Sequence, residues 1–271
     1  SVDLGSTFAL LSFYLHRKNR QPATMSDHGD SVAAINGTAN PVNKDLPKDV
    51  HGRILESRKV LYRPDTTGKD YVSTYDDYWA EKYNEDSVHL GFQAWDFATR
   101  YISLFVPNKD ATILDYCGGT GQVGKRLHDM GYTNLYMSDG SVKMAEQAKS
   151  LGIYKQQWLE IVERRHKAKY LEECVKNGMQ FDCIFSSMSL SEFETVVQQI
   201  CKEALKPGGV FIAIESVPHL TQARLDGIFW CLEETQKPDG CLEVVHNYDG
   251  HPHDTFTDHN MKVLVVKRKG A

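Results

Sequence analysis

The sequence has no run of about 18 apolar residues, the length that a membrane-spanning helix requires; residues 8–15 (FALLSFYL) form only a short one. It has no excess of positive charge either, since 31 Lys and Arg stand against 36 Asp and Glu for a net of −5. Nucleic-acid binders more often carry a basic domain, so that class is disfavoured. Cysteine occurs six times but never as Cys-x-x-Cys, which removes the usual ligand spacing of a structural zinc site. A disulfide framework belongs mainly to small secreted domains that cannot build a core. A chain of 271 residues with 41% hydrophobic residues has no such need. The expectation is a soluble, cytoplasmic protein with free thiols and room for one sizeable domain.

The N-terminal part is poor in core-forming pattern. The chain opens on Ser1, and the apolar run at 8–15 is followed by His16, Arg17, Lys18 and Arg20, without a leading positive region or a small-residue cleavage site. Residues 22–50 are rich in Asp, Asn, Gly, Ser, Pro and Lys and read as disordered or loosely attached. Residues 1–70 are accordingly expected to be a leader and a largely disordered or extended segment, with Met25 as a candidate original start.

From Tyr71 the pattern changes. Val88, Phe92, Trp95, Thr99 and Ile102 recur at helical spacing behind an aromatic-rich stretch, which predicts two short helices ending at Pro107. Strands and helices then alternate. Strands are expected at 112–116, 135–137, 154–159 and 181–186, and a further one at 210–214, launched by Lys206-Pro207-Gly208-Gly209. The final two fall at 242–246 and 261–267. The intervening helices carry Val123 and Leu127, then residues 141–150, then Phe193 to Leu205 behind a capping box of Ser191 and Glu194, then Ile228 and Leu232. Residues 160–176, with Arg164, Arg165, Lys167 and Lys169, read as an inserted charged helix with a solvated face. Such alternation predicts an α/β, Rossmann-like three-layer sandwich around a mostly parallel sheet.

The chemistry centres on the first strand-to-helix turn, Cys117-Gly118-Gly119-Thr120-Gly121. A turn of small residues lets a ligand approach the backbone, and in an open parallel sheet ligands sit beyond the carboxyl ends of the strands. Asp115 precedes the turn and Asp139 ends the second strand; an acid at that second position accepts hydrogen bonds from both ribose hydroxyls. The ligand is therefore read as a ribonucleoside derivative. Gly119-x-Gly121-x-x-Gly124 also satisfies the dinucleotide spacing, so an NAD(P)-dependent oxidoreductase is one alternative. A carboxylate ahead of the turn disfavours a pyrophosphate and suits a cationic amino-acid group.

Three segments carry a resemblance. ILDYCGGTG, SDGSVKMAEQA and LKPGGVFIAI resemble, in order and spacing, the class I S-adenosylmethionine-dependent methyltransferase superfamily. Within it, YDDYWAEKYNED and FDCIFSSMSLSE are most similar to the methyltransferase-like proteins of the Williams–Beuren syndrome region. The resemblance implies a seven-stranded sheet with an antiparallel last strand and a domain spanning 71–271, with a helical cap at 71–106. It implies S-adenosyl-L-methionine as cofactor. Asp115 would then face the methionine amino group through water, Gly119 and Gly121 the close backbone approach, and Asp139 the ribose. Gly140 and Met144 would flank the adenine, and Tyr83 would close over the methionine end; Gln157 and Trp158 would border the adenine edge. Cys117 stands where the superfamily usually has Gly or Ala, and Gly118 at a variable position; both join the cofactor-binding set.

No catalytic residue is identified. Ser187, Ser189 and Glu192 follow the fourth strand and should face an acceptor, or else cap the next helix. No Asn-Pro-Pro-Tyr follows that strand, so a small-molecule acceptor is favoured, with RNA or protein left open. A cofactor-binding sensor or interaction protein without catalysis is the other alternative. His246, His251, His253 and His259 read as a polar loop between the final strands, with a place at the substrate mouth or a metal site as alternatives.

Overall fold

The structure, a computed structural model, describes residues 47–61, 67–89, 94–163, 166–189, 194–216, 222–249 and 261–270. The sheet has seven strands. They are β1 (Ile113–Tyr116), β2 (Leu135–Asp139), β3 (Tyr154–Leu159), β4 (Phe181–Ser187), β5 (Leu205–Ser216), β6 (Leu242–Asp249) and β7 (Met261–Arg268), in the order β3-β2-β1-β4-β5-β7-β6. Strands β1 to β5 pair in parallel, and β7 lies antiparallel between β5 and β6. The expected architecture is present.

Strand β1 is buried along its whole length. A parallel strand covered on both faces needs a continuous apolar run rather than alternation, and Ile113, Leu114 and Tyr116 supply it. In register, Asp115 sits beside Met137 of β2 and Phe185 of β4. The chain runs outward through β2 and β3 on one side of β1 and through β4 and β5 on the other. The order therefore reverses between β1 and β4, and the crevice there is the natural ligand position of such a sheet.

Ahead of the sheet lie α1 (Lys48–Leu61), α2 (Gly68–Thr74), α3 (Tyr83–His89) and α4 (Ala94–Phe105). A π-helical turn (Tyr75–Trp79) and a 3-10 turn (Ala80–Lys82) link α2 to α3. Helix α1 was not expected. Among its described side chains the buried ones are Val50, Ile54 and Ser57, spaced by four and three residues within a largely polar segment, so the apolar signal is thin. Much of its anchoring is ionic: Arg53 Nε and Nη2 donate to the two oxygens of Asp86 at 2.8 and 2.7 Å, and Trp79 Nε1 donates to Asp86 Oδ2 at 3.1 Å. Helix α4 turns Ala94, Trp95, Ala98, Thr99 and Ile102 inward, where its apolar side chains join the core with Val123, Leu127, Phe185, Ile212 and Val265. Where two short helices were expected, the segment breaks into several short elements. Phe92 lies outside the described residues.

The remaining helices are α5 (Gln122–Asp129), α6 (Val142–Ser150), α7 (Lys169–Lys176), α8 (Glu194–Gln199, continued by a π-helical turn, Ile200–Ala204) and α9 (Gln222–Gln236). Helix α7 corrects the charged helix expected over 160–176: only its second half is helical. Glu160 causes the late start, because its carboxylate accepts the amides of Lys169 and Tyr170 at 2.9 and 3.0 Å and so satisfies helix N-terminal donors from nine residues upstream. Lys167 is paired with Glu203 at 2.7 Å, and Arg164 and Arg165 lie outside the described residues. Strand β5 also starts earlier than expected. Leu205 pairs with Phe181 before the register shifts to Cys183 with Val210, so Lys206–Gly209 forms an irregularity within the strand. Gly208 takes φ +82° there, and Lys206 Nζ meets Asp182 Oδ2 at 2.8 Å. The Ser191 of the expected capping box is outside the described residues.

All six cysteines are free thiols. Among the described residues, no helix is long and apolar enough to cross a membrane.

Candidate functional site

The turn after β1 is built by left-handed backbone. Cys117 has φ +57°, Gly119 φ +58° and Gly121 φ +77°. An L-residue in that region costs about 1–2 kcal/mol, which explains on this chain's own geometry why glycine would suit position 117. Gly118 N donates to Ser138 O at 3.1 Å and Gly121 N to Gly118 O at 2.9 Å, closing the turn against β2. A Cβ added at Gly119 would meet nothing within 4 Å; that stretch of backbone is open to a ligand.

An open cavity lies over the turn. Its walls bring together Tyr83, Asp115, Cys117, Gly118 and Gly119 from the expected set, and Ser187 from the end of β4. Trp95, Thr120, Gln122, Val123 and Met188 complete the lining and were not anticipated. Met188 stands in the left-handed region at φ +63°. Strained non-glycine residues of this kind cluster at functional sites, but no sequence signal marks this one. Thr120 Oγ1 donates to Asn84 Oδ1 at 2.6 Å, joining the turn to α3. An aromatic series leads in from the N-terminal helices: Tyr75 stacks on Trp79 with centroids 5.8 Å apart, Trp79 meets Tyr83 edge-on at 5.2 Å, and Tyr83 meets Trp95 at 6.3 Å. Burial, followed by the nearby Asp139 charge, pushes the Tyr83 hydroxyl up to about 12.

Gly121, Asp139, Gly140 and Met144 do not border this cavity. Asp139 instead joins two turns: Oδ2 accepts Gly119 N and Oδ1 accepts Ser141 N, both at 2.8 Å. Burial raises its pKa against those hydrogen bonds. A Cβ on Gly140 would lie 2.8 Å from Val72 Cγ2, so the N-terminal helices approach closely there. Met144 is buried on α6. The same helices cap α6: Asp76 accepts Ser141 Oγ and the Lys143 amide, a favourable place for an acid. Trp158 stacks between Tyr136 and Tyr170 at 6.0 and 5.2 Å, and Gln157 contacts Met137 Sδ; neither lines the cavity. Ser189 bonds Ser186 Oγ at 2.7 Å, while Glu192 lies outside the described residues.

Asp115 is 4% exposed and Tyr154 Oη donates to its Oδ2 at 2.8 Å. Burial is the main reason that its pKa is pushed up to about 7; the Tyr154 hydrogen bond opposes the shift and Asp139 adds to it. Gly124 makes the contact possible, because a Cβ there would fall 2.0 Å from Tyr154 Oη and 2.5 Å from Cζ. Gly124→Ala should therefore displace Tyr154 and lower stability by about 1–2 kcal/mol, as overpacking does. Urea denaturation tests this, and an unchanged midpoint would show that the ring has room to move.

His246 packs against Tyr101 and Phe105 at 5.4 and 5.5 Å, and burial lowers its pKa. His251, His253 and His259 lie outside the described residues. Among the described residues, no three His, Cys, Asp or Glu side chains gather as a metal site would require.

Sheet order, antiparallel β7 and glycine turn at the switch point together define a Rossmann-like class I methyltransferase fold. A solved structure at a TM-score of 0.50 shares that fold. A chain from the Haloferax volcanii complex of the Trm112 methyltransferase activator with a methyltransferase is similar at a TM-score of 0.50 and 15% identity, over 74% of this chain and 98% of that one. Magnesium protoporphyrin IX methyltransferase of Synechocystis PCC 6803, solved with SAH, is similar at 0.49 and 13% identity, over 74% of this chain and 99% of that one. By sequence, methyltransferase-like protein 27 of Homo sapiens is 36% identical over 80 residues, 29% of this chain. The match spans about a third of that relative's length, at 33%. No family model matches the chain.

Proposed function

We propose that the protein is an S-adenosylmethionine-dependent methyltransferase. The observation that carries this reading is the buried Asp115 carboxylate on the wall of the cavity, beside the open backbone of Gly119. Such a pair repels a pyrophosphate and fits an amino acid's ammonium group next to a close backbone approach. Asp139 would hold the ribose hydroxyls, Gly140 and Met144 would flank the adenine, and Tyr83 would close the methionine end. When bound, the cofactor supplies an electrophilic methyl group on a sulfonium. The residues of this chain then have to orient an acceptor and exclude water rather than generate a reactive group.

Tyr83, Trp95 and Met188 form an apolar wall suited to that task, with Ser187 as a hydrogen-bonding group at its edge. A concave site walled by these side chains supports a small acceptor. Free thiols support a reducing compartment, the cytoplasm. Incubation of fractionated extracts with methyl-labelled S-adenosylmethionine should place label in the low-mass fraction, dependent on the protein. Label confined to protein or RNA would contradict the small-molecule assignment.

The raised pKa of Asp115 has a consequence for stability. Its folded value, about 7, lies above the ordinary carboxylate value, so the folded state holds a proton that the unfolded chain has lost. Its stabilising contribution is full at low pH and falls away between about pH 4 and 7. Relative to wild type, Asp115→Asn should therefore become more stable by about 2 kcal/mol between pH 5 and pH 8. Denaturation curves of both proteins at the two pH values measure the difference, and a pH-independent difference would refute the assignment.

A further inference from the structure

Tyr154 opens β3, two strands away from Asp115, yet its hydroxyl reaches the Asp115 carboxylate at 2.8 Å. The route is specific. The ring passes α5 through the gap left by Gly124 and also lies close to Gly121, where an added Cβ would stand 3.2 Å from Tyr154 Cε2. Two glycines of the Gly-x-Gly-x-x-Gly spacing thus stand beside one tyrosine ring, and only Gly119 faces open space. Tyr154 itself is absent from the cavity lining, whereas Asp115 is part of it.

We propose that Tyr154 is a positioning residue of the cofactor pocket: it acts through Asp115, fixing the carboxylate and stabilising its ionised form so that the aspartate can receive an ammonium group. This rests on the methyltransferase reading, and its test separates the two. A buried carboxylate held by a neutral donor keeps more of its charge than one without that donor, and a cationic ligand binds the charged form. The titratable groups around Asp115 are Tyr154 from β3, Asp139 from the end of β2, Cys117 in the turn and Tyr83 from α3. The α5 backbone at Gly124 also favours the ionised carboxylate. Among these neighbours, Tyr154 is the side chain that hydrogen-bonds to Asp115 and favours its ionised form; Asp139 opposes ionisation.

The test is S-adenosylhomocysteine binding by calorimetry between pH 6 and 9 for wild type, Tyr154→Phe, Asp115→Asn and the double variant, with thermal melts as a control on folding. Wild-type affinity should rise with pH through the neutral range. Tyr154→Phe keeps the ring in its gap; its rise should move to higher pH by about one unit, leaving affinity roughly fivefold weaker at pH 7 and recovering by pH 9. In the Asp115→Asn background, Tyr154→Phe should cause no shift. A loss that is equal at every pH, or a Tyr154→Phe profile that coincides with wild type, would overturn the positioning role. Failure of the wild-type protein to bind at any pH would instead remove the cofactor reading beneath it.

Discussion

Asp139→Ala should weaken S-adenosylhomocysteine binding by about a hundredfold, the scale expected when a hydrogen-bonding charged group is removed. Two effects add. The variant loses the acceptor proposed for the ribose hydroxyls, and it also releases the amides of Gly119 and Ser141, each held at 2.8 Å. Gly119 is the open part of the first turn, and Ser141 is the N-cap of α6, where its side chain accepts the Met144 amide. Asp139→Asn separates the contributions. An amide retains a carbonyl acceptor but cannot accept from both backbone groups, so binding should fall by less, about tenfold. Calorimetric titration of the three proteins provides the comparison. Equal affinities would remove Asp139 from the ligand while leaving the rest of the site untouched.

The second large effect concerns a residue remote from the cavity. Arg53→Met should destabilise the protein by about 3 kcal/mol, because it leaves the fully buried Asp86 without its bidentate partner. Trp79 Nε1 remains as one donor at 3.1 Å, which limits the loss. Met preserves most of the aliphatic volume, so packing contributes little. The consequence should extend to the site: α1 is tied through Asp86 to α3, which also carries Tyr83 on the cavity wall and Asn84, the partner of Thr120. Urea denaturation measures the stability change, and Asp86→Leu in the Arg53→Met background should recover part of it by removing the unpaired charge. A single-variant loss below about 0.5 kcal/mol would place the pair among ordinary surface ion pairs.

Much of this arrangement was legible in the sequence, for a physical reason. Strands β1, β4 and β5 are buried on both faces, so ILDY, FDCIFS and VFIAI stand out as apolar runs, and the edge strand β3 falls over residues 154–159 as read. Position 160 shows where local reading fails: Glu160 caps a helix nine residues ahead, so periodicity overstates the helix. Helix α1 escaped because an Arg–Asp pair does much of the work that apolar residues usually do. In the site, Asp115 and the glycine turn are contiguous and visible. Tyr154, Met188 and Trp95 come from separate elements, and only the tertiary fold brings them near the turn. Gly124 is the clearest case, because its spacing alone reads as a dinucleotide fingerprint. The structure gives it another use, as clearance for Tyr154.

The most direct test of the account is calorimetric titration of the wild-type protein with S-adenosylmethionine and S-adenosylhomocysteine, with NADH and NADPH in parallel. Saturable one-to-one binding of both adenosyl ligands, and none of either nicotinamide, is the predicted result. Binding of NADH or NADPH without S-adenosylhomocysteine would contradict it.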